Sequence, residues 1–176
     1  MNFAEMISVV ISIEGGLSMD PDDPGNWTGG AKGSGQLKGT KFGISAARFP
    51  DLDICSLTRS QAIEIYRVEY FEEPKVSKLP EALQLLVLDA IIHHGPGSKM
   101  LADDGAIRFL QRALGVNDDG VIGPETLRAA ESADPLLTQA RMLGERLHFM
   151  TYCKTWSLNS RGFARRVARH LKELRA

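Results

Sequence analysis

The sequence predicts a mainly helical α+β protein with one glycine-rich loop or small β-hairpin. Apolar residues recur at helical spacing over most of the chain after residue 50, and residues 2–14 show the same spacing. Residues 15–43 differ, because nine of these 29 residues are glycine and turn-forming Asp and Pro residues accompany them. Such a segment is too long for a simple connection, so we expect a functional loop or hairpin that forms one wall of a cleft.

The composition excludes several classes of protein. The chain has 176 residues, of which 43% are hydrophobic and 24% charged, which is enough for one sizeable core. A net charge of −1 argues against a globally basic nucleic-acid binder, and two cysteines cannot build a disulfide scaffold or a Cys-rich zinc site. The apolar runs are too short for a membrane span, and Glu5 and Glu14 interrupt the first one, so we expect no secretory signal. We also expect a monomer without metal or cofactor.

Each predicted helix has its own start or stop signal. Gly15-Gly16 ends the first helix, and a capping box from Thr58 to Gln61 opens a helix that runs to about Phe71. Residues 83–92 are apolar on nearly every side and should form a buried central helix. The remaining helices are expected at residues 99–114 with Ile107, Leu110 and Leu114 inward, after Pro124, along Leu136, Ala140, Leu143, Leu147 and Met150, and along Phe163, Val167, His170, Leu171 and Leu174.

Glu14 is the strongest candidate for chemistry. It falls on the apolar face of the first helix, in its last turn and beside two glycines. Partial burial and the negative end of the helix dipole would both raise its pKa, and a carboxyl that stays protonated near neutral pH can act as a general acid. A lone Glu more often marks a solvated helix end. Asp20, Asp22 and Asp23 could supply the second carboxylate of a glycosidase, although Asp-Pro clusters usually serve as turns and caps.

These motifs together resemble glycoside hydrolase family 108, which are lysozyme-like muramidases and include many phage endolysins. The resemblance rests on Glu14-Gly-Gly, Asp20–Gly25, Thr40-Lys-Phe-Gly-Ile44, Leu57-Thr with Ala62, Tyr66 and Tyr70, and Leu88-Asp89-Ala90 ahead of Gly95. The second half, with Gln111, Asp119-Gly120, Ile122-Gly-Pro124 and Thr126, is similar to the peptidoglycan-binding segment that accompanies such domains. The resemblance implies a lysozyme-like fold, with a catalytic region 1–95 and a peptidoglycan-binding-like region 96–176 packed as one compact body.

The resemblance also implies the reaction and its residues. The reaction is hydrolysis of the β-1,4 bond between N-acetylmuramic acid and N-acetylglucosamine, with Glu14 as the general acid. Phage lysozymes of the wider superfamily have an Asp after eight intervening residues, which corresponds to Asp23, and then a Thr. Thr28 has roughly the right distance, whereas Thr40 has the right neighbours and is preferred. Asp23 and Thr40 would position a water or stabilise the cationic transition state, and attack by water from the opposite face would invert the product.

Four further residues are expected to contact substrate: Asp20, Asp22, Gly43 and His94. The family often has Asn before the glycine of the central helix motif, where this chain has His93-His94. These histidines also serve well as core residues, and adjacent residues on a helix point about 100° apart, so they cannot easily share a zinc ion. A calcium loop at Asp20-x-Asp22 fails because Pro24 and Ala31 occupy ligand positions.

The C-terminal helix separates its charges from its apolar residues. Arg161, Arg165, Arg169, Lys172 and Arg175 fall on one face, which is either a solvated surface or a contact with an anionic cell envelope or membrane. A nucleic-acid contact has only this stripe in its favour, and a non-catalytic peptidoglycan-binding protein is the main alternative to an enzyme. Peptidoglycan is the expected partner. An endolysin would accumulate in the host cytoplasm and reach the cell wall through holin lesions.

Overall fold

The computed structural model describes residues 3–11, 16–95, 104–153 and 156–174. These ranges contain seven α-helices and one two-stranded antiparallel sheet, which confirms the mainly helical fold class. The chain forms two compact units, Met1–Val68 and Glu69–Ala176. The functional regions expected at 1–95 and 96–176 stay a prediction. None of the helices in the described ranges is long and apolar enough to cross a membrane.

The first unit combines two short helices with a loop-rich segment. Its elements are α1 (Phe3–Ile11), a 3₁₀ helix (Pro24–Asn26), β1 (Thr40–Lys41), β2 (Ile44–Ser45) and α2 (Arg59–Ile65). Its buried side chains come from every part of it: Met6, Ile7, Ile44, Ala46, Ile54, Leu57, Ala62 and Tyr66. The small hairpin expected within residues 15–43 is formed by β1 and β2, although β2 lies just beyond that range. The end of the predicted first helix, with Glu14, lies outside the described residues.

The capping box predicted at the start of α2 is present. Thr58 Oγ1 accepts a hydrogen bond from the Gln61 amide at 3.3 Å, and Gln61 Oε1 accepts one from the Thr58 amide at 2.9 Å. The helix continues as a π-helix, Tyr66–Glu72, so its end lies close to the expected position at Phe71. The wider winding was not predicted, because an apolar spacing of 3 and 4 residues does not distinguish it from an α-helix.

The second unit is a set of five α-helices with one short 3₁₀ turn, Val76–Lys78, in its described part. The α-helices are α3 (Glu81–His94), α4 (Ala106–Leu114), α5 (Pro124–Ser132), α6 (Pro135–Tyr152) and α7 (Trp156–Lys172). The central helix predicted at residues 83–92 is α3, whose side chains at Leu83 and from Leu86 to Ile91 are buried. Pro124 occupies the first turn of α5 as expected, because its missing N–H is not needed there.

The structure departs from the predicted helices in three details. Helix α4 begins at Ala106, because Gly105 is extended with φ −155°, and the predicted start at residue 99 lies outside the described residues. In α6 the predicted Leu143 and Met150 are buried, but the predicted Leu136, Ala140 and Leu147 are exposed, and Gln139, Met142 and Arg146 complete the buried face. In α7 Leu171 of the expected apolar face is exposed, whereas Val167 and His170 of the same face are buried as expected. The error in α6 arises because its buried face includes polar side chains, which a search for apolar spacing passes over.

Candidate active site

A tight hairpin presents one of the predicted catalytic residues. β1 and β2 pair Thr40 with Ser45 and Lys41 with Ile44, and the turn between them consists of Phe42 and Gly43. Both turn residues have positive φ, 52° and 77°, the conformation that matches the twist of a two-residue hairpin. Tyr66 fixes this turn because its buried hydroxyl donates to the Phe42 carbonyl at 3.0 Å. Gly43 thus has a conformational role, and its substrate contact stays a prediction.

Three hydroxyl side chains lie in a row across this hairpin and a neighbouring extended segment. Ser18 pairs with Thr40 through two backbone hydrogen bonds of 2.8 and 2.9 Å, and Thr40 pairs with Ser45 on its other side. Paired residues of adjacent strands project from the same face, so Ser18, Thr40 and Ser45 form what we call the hydroxyl row. Gly39 permits the close approach, since a Cβ there would lie 2.4 Å from the Ser18 carbonyl oxygen.

Asp23 lies beside the hydroxyl row. Its side chain caps the 3₁₀ helix Pro24–Asn26, with Oδ1 accepting a hydrogen bond of 2.8 Å from the Gly25 amide. A Cβ built on Gly25 would lie 3.2 Å from Asp23 Oδ1 and 3.9 Å from Ser45 Cβ, so these two atoms are at most about 7 Å apart. The structure therefore brings the predicted Asp23 close to Ser45, the cross-strand partner of the predicted Thr40.

Asp20 and Asp22 serve the loop that carries Asp23. Asp20 Oδ1 accepts a hydrogen bond of 2.9 Å from the Asp22 amide, which is the turn chemistry typical of such sequences. The Asp22 carboxylate forms an exposed ion pair with Lys32. Their substrate contacts stay predictions. No group of three or more His, Cys, Asp or Glu side chains in the described ranges is arranged to hold a metal ion.

The two candidate threonines have different surroundings. Thr28 Oγ1 accepts a hydrogen bond of 2.9 Å from the Gln36 amide, and the Thr28 amide donates to the Gln36 carbonyl at 2.9 Å. Thr28 therefore closes a local loop next to the bridge between Trp27 and Leu37. No group of the described residues bonds to the half-buried Thr40 hydroxyl, which leaves it free for a ligand. This difference favours Thr40 over Thr28.

Asn26 holds the loop together and was missed by the sequence analysis. It is completely buried, and its Nδ2 donates to the Asp20 carbonyl at 2.9 Å. The main-chain carbonyl of Asn26 accepts hydrogen bonds from the amides of Lys38 and Gly39, both at 3.0 Å. One residue therefore ties the Asp-rich turn to the segment that leads into β1. Only the turn signal Pro-Gly-Asn pointed to it, and that signal does not predict burial.

A buried charge cluster joins three helices of the second unit. The Asp89 carboxylate of α3 receives Arg166 of α7 through Nη2 at 2.7 Å and Nε at 3.1 Å. Arg146 of α6 and His170 of α7 both approach Oδ2 of Asp89, each at 2.9 Å. Burial alone would raise the pKa of Asp89, but hydrogen bonds from His170 and Arg166 and the charges of both arginines hold it well below the ordinary value. Asp89 is therefore an anion at neutral pH.

Arg146 is the most deeply buried charge in this cluster. Its side chain is 0% exposed, and its contact with Asp89 is an ion pair without an aligned hydrogen bond. Burial lowers the pKa of the guanidinium, and the Asp89 charge opposes this change. The sequence analysis singled out Leu88-Asp89-Ala90 as a family motif without a role, and the structure shows that Asp89 pairs with the buried Arg146 and the partly buried Arg166.

His93 and His94 belong to an aromatic cluster in the same unit. Their Nδ1 and Nε2 atoms are 3.0 Å apart, and the His94 ring packs edge to face on Phe109 and Phe149 at 5.7 and 5.4 Å. Burial, with the charges of nearby basic groups, lowers the pKa of His93 to about 4 and that of His94 to about 2. Both are neutral at pH 7. The substrate contact predicted for His94 stays untested.

Gln111 accounts for much of the motif in the second half of the sequence. Its buried side chain accepts a hydrogen bond of 2.8 Å from the Gly120 amide. Its Nε2 faces Asp119 Oδ1 at 2.8 Å, the Val121 carbonyl at 3.0 Å and Thr126 Oγ1 at 3.1 Å. These motif residues therefore close the turn between α4 and α5.

A mainly helical chain whose hairpin presents hydroxyls beside a carboxylate suits a lysozyme-like glycoside hydrolase. The family model described as Glycosyl hydrolase 108 matches residues 7–95, just over half of the chain, and the chain belongs to that family. A second family model, described as Predicted Peptidoglycan domain, matches residues 105–163. The two matches identify a glycoside hydrolase that acts on peptidoglycan.

A solved structure, that of SagA from Brucella abortus, is similar over nearly the whole chain. The two sequences are 28% identical, and the match covers 98% of this chain and 92% of SagA with a TM-score of 0.77. This similarity supports the lysozyme-like fold predicted from the motifs. A comparison with curated protein sequences gave no match.

Proposed function

We propose that the protein is an N-acetylmuramidase that hydrolyses the β-1,4 bond between N-acetylmuramic acid and N-acetylglucosamine. The observation that carries this proposal is the position of Asp23 near Ser45, the cross-strand partner of Thr40, in a chain of glycoside hydrolase family 108. A carboxylate and a hydroxyl that converge on one face can hold a water molecule against a sugar ring. Glu14 supplies the acid in this proposal, on the strength of its Glu-Gly-Gly motif.

The proposed reaction is a single displacement. Glu14 protonates the glycosidic oxygen as its bond to the anomeric carbon breaks, and a water attacks that carbon. Asp23 accepts a proton from the water, and Thr40 orients it. The product sugar then has the inverted anomeric configuration, which NMR of freshly released product measures.

Mass spectrometry of digested sacculi tests the assignment directly. We expect fragments with a reducing N-acetylmuramic acid end, because cleavage at its C1 distinguishes a muramidase from a glucosaminidase, a lytic transglycosylase and an amidase. Glu14→Gln should abolish release while circular dichroism and thermal unfolding stay unchanged. Full activity of a folded Glu14→Gln protein would contradict the role of Glu14, and binding of sacculi without cleavage by the natural sequence would contradict the reaction.

We also propose that the protein works as an endolysin. In this proposal it accumulates in the host cytoplasm and reaches the cell wall through holin lesions, as the resemblance to phage enzymes implies. Expression in a bacterium with and without a co-expressed holin tests this. Rapid lysis only with the holin is expected, whereas equal lysis without it would contradict the endolysin route.

The exposed face of α7 supports a further contact with an anionic envelope surface. Arg161, Arg165, Arg169 and Lys172 are exposed, and the helix Trp156–Lys172 contains no Asp or Glu. Each basic residue near an anionic surface contributes about 1 kcal/mol, and salt screens this attraction. Arg175, the fifth predicted member, lies outside the described residues.

Sedimentation with purified envelopes tests this contact. The triple variant Arg161→Gln, Arg165→Gln, Arg169→Gln should bind less at low salt and equally at high salt. A variant that removes the same charge elsewhere, at the exposed Arg59, Lys75 and Lys78, is the matched control and should bind normally. Equal loss in both triple variants would point to net charge and would contradict a specific role of α7.

A further inference from the structure

We propose that Ser45 is a further residue of the active site, where its hydroxyl binds the attacking water together with Asp23 and Thr40. This inference rests on the proposed muramidase function and extends it to a residue that neither the sequence motifs nor the family match assigns a role. The hydroxyl row and its distance from Asp23 carry the inference.

The position of Ser45 follows from the strand register. It is the cross-strand partner of Thr40, so the two side chains share one face with Cβ atoms about 5 Å apart. The backbone of Ser45 is held in place, because its carbonyl accepts hydrogen bonds from the amides of Arg48 at 3.2 Å and Phe49 at 3.0 Å. Its side chain is half-buried, and no group of the described residues bonds to its hydroxyl. Ser45 thus has a rigid backbone and an unused polar group.

The absence of a side chain at Gly25 leaves space between Ser45 and Asp23. The position of a Cβ on Gly25 would contact both, at 3.2 Å from Asp23 Oδ1 and 3.9 Å from Ser45 Cβ. The resulting separation of at most about 7 Å fits a bridging water, because two hydrogen bonds through one water span about 5.6 Å and the serine Cβ–Oγ bond adds further reach. A side chain at this position would crowd the gap between Asp23 and Ser45, which glycine leaves open.

The chemistry of the three groups is complementary. An ionised carboxylate only accepts hydrogen bonds, whereas each hydroxyl can donate one and accept two. In the hydrolysis the water oxygen forms a bond to the anomeric carbon, the glycosidic C–O bond breaks, and one water proton passes to Asp23. Two hydroxyls fix the water in direction as well as in distance, which one hydroxyl cannot do. Ser45 forms no covalent bond in this step.

Rates of reducing-end release from purified sacculi test the proposal with four variants. Ser45→Ala should lower kcat about 10-fold, the usual effect of removing one hydrogen bond to a reacting group, with KM within about two-fold. Ser45→Thr keeps a hydroxyl and should recover at least a third of the lost rate. Gly25→Ala should also lower kcat, because its methyl group would lie 3.2 Å from Asp23 Oδ1 and crowd the gap that the water bridges. Ser60→Ala, at an exposed serine of α2, is the matched control and should keep full activity.

Thermal unfolding and the variants Asp23→Asn and Thr40→Ala distinguish the possible outcomes. If Ser45→Ala loses activity only in proportion to lost folded protein, or keeps kcat within two-fold, the proposal is wrong. If Asp23→Asn and Thr40→Ala are inactive while Ser45→Ala is fully active, the muramidase proposal stands and the role of Ser45 falls. If the natural sequence releases no reducing ends, both proposals fail. A combined Thr40→Ala, Ser45→Ala variant should lose less than the product of the single losses, since both hydroxyls hold one water.

Discussion

The loop that carries Asp23 and the cluster around Asp89 differ in how many of their side-chain polar groups have hydrogen-bond or ionic partners. In the loop, backbone hydrogen bonds and the buried Asn26 fix the chain, while the hydroxyls of Thr40 and Ser45 have no partner among the described residues. In the cluster, the carboxylate of Asp89 faces three cationic or polar side chains at 2.7 to 2.9 Å. The comparison indicates which acids are available for catalysis and which are committed to the fold.

This comparison also explains why the strength of an acid's contacts is a poor guide to catalysis. Asp89 has a pKa well below its ordinary value, yet Arg146, Arg166 and His170 already contact both of its carboxylate oxygens. Asp23 is exposed and accepts a hydrogen bond from the Gly25 amide. The four predictions below should separate the two behaviours, from the largest expected effect to the smallest.

Replacement of Asp89 should affect stability most. Asp89→Asn keeps the volume but leaves Arg146 buried without a counter-charge, so we expect a loss of about 3–5 kcal/mol in the free energy of unfolding. Urea denaturation measures it. Asp118→Asn is the control, because Asp118 pairs with Arg112 at a more exposed position and should cost less than about 1 kcal/mol. Equal losses in the two variants would contradict a special role for the buried cluster.

Replacement of Asp23 should show the opposite pattern. Asp23→Asn should lower the rate of peptidoglycan hydrolysis about 100-fold or more, because Asn cannot accept a proton from water. Stability should hardly change, since Asn is as good an N-cap as Asp for the helix at Pro24. Asp51→Asn, at an exposed acid outside the predicted site, is the control and should keep normal activity. A stable, active Asp23→Asn protein would remove Asp23 from the mechanism.

The histidine pair should make the protein less stable in mild acid. His93 and His94 are neutral when folded, with pKa values of about 4 and about 2, but take up protons near pH 6.5 when unfolded. The unfolded state therefore binds more protons below pH 6.5, and stability falls as the pH drops towards 4. Allowing for the partial exposure of both rings, we expect a loss of about 2 kcal/mol between pH 7 and pH 5.

Urea denaturation at both pH values measures this loss. The combined variant His93→Asn, His94→Gln has no imidazole to titrate and should show a flatter pH dependence, even if it is less stable throughout. An unchanged pH dependence in this variant would assign the acid sensitivity to other groups.

Replacement of Thr28 should have the smallest effect. Thr28→Val removes the acceptor of the Gln36 amide and should cost about 1 kcal/mol of stability. The rate per folded molecule should stay within about two-fold of normal. Thr40→Val keeps a β-branched residue in β1 and should lose most activity with little change in stability. The reverse result would exchange the roles of the two threonines.

Local signals in the sequence predicted much of the fold. The capping box at Thr58 and the apolar run of α3 appear as expected because both depend on neighbouring residues. The buried face of α6 was predicted only in part, because its largest buried side chain is Arg146, whose partner lies 57 positions away at Asp89. Sequence spacing along one helix contains no information about such a distant partner.

The same distinction between local and distant interactions applies to the residues of the candidate site. The loop-rich segment, its hairpin and the candidates Asp23 and Thr40 came from turn chemistry and family motifs, and the structure places Asp23 near Ser45, the cross-strand partner of Thr40. Ser45 could not be singled out, because its relation to Asp23 arises from the strand register and from the space at Gly25. Asn26 was missed for a similar reason, since its burial depends on chain segments on either side of it.

The Asp89 cluster has a consequence for protein engineering. Asp89 lies in the segment that matches the hydrolase family, while Arg146 lies in the segment that matches the peptidoglycan domain, and both belong to one compact unit. A chimera that joins one segment to a relative's other segment leaves buried charges without a partner wherever the relative's residues differ at these positions. Recombination between such enzymes should therefore succeed more often when Asp89, Arg146, Arg166 and His170 come from the same parent.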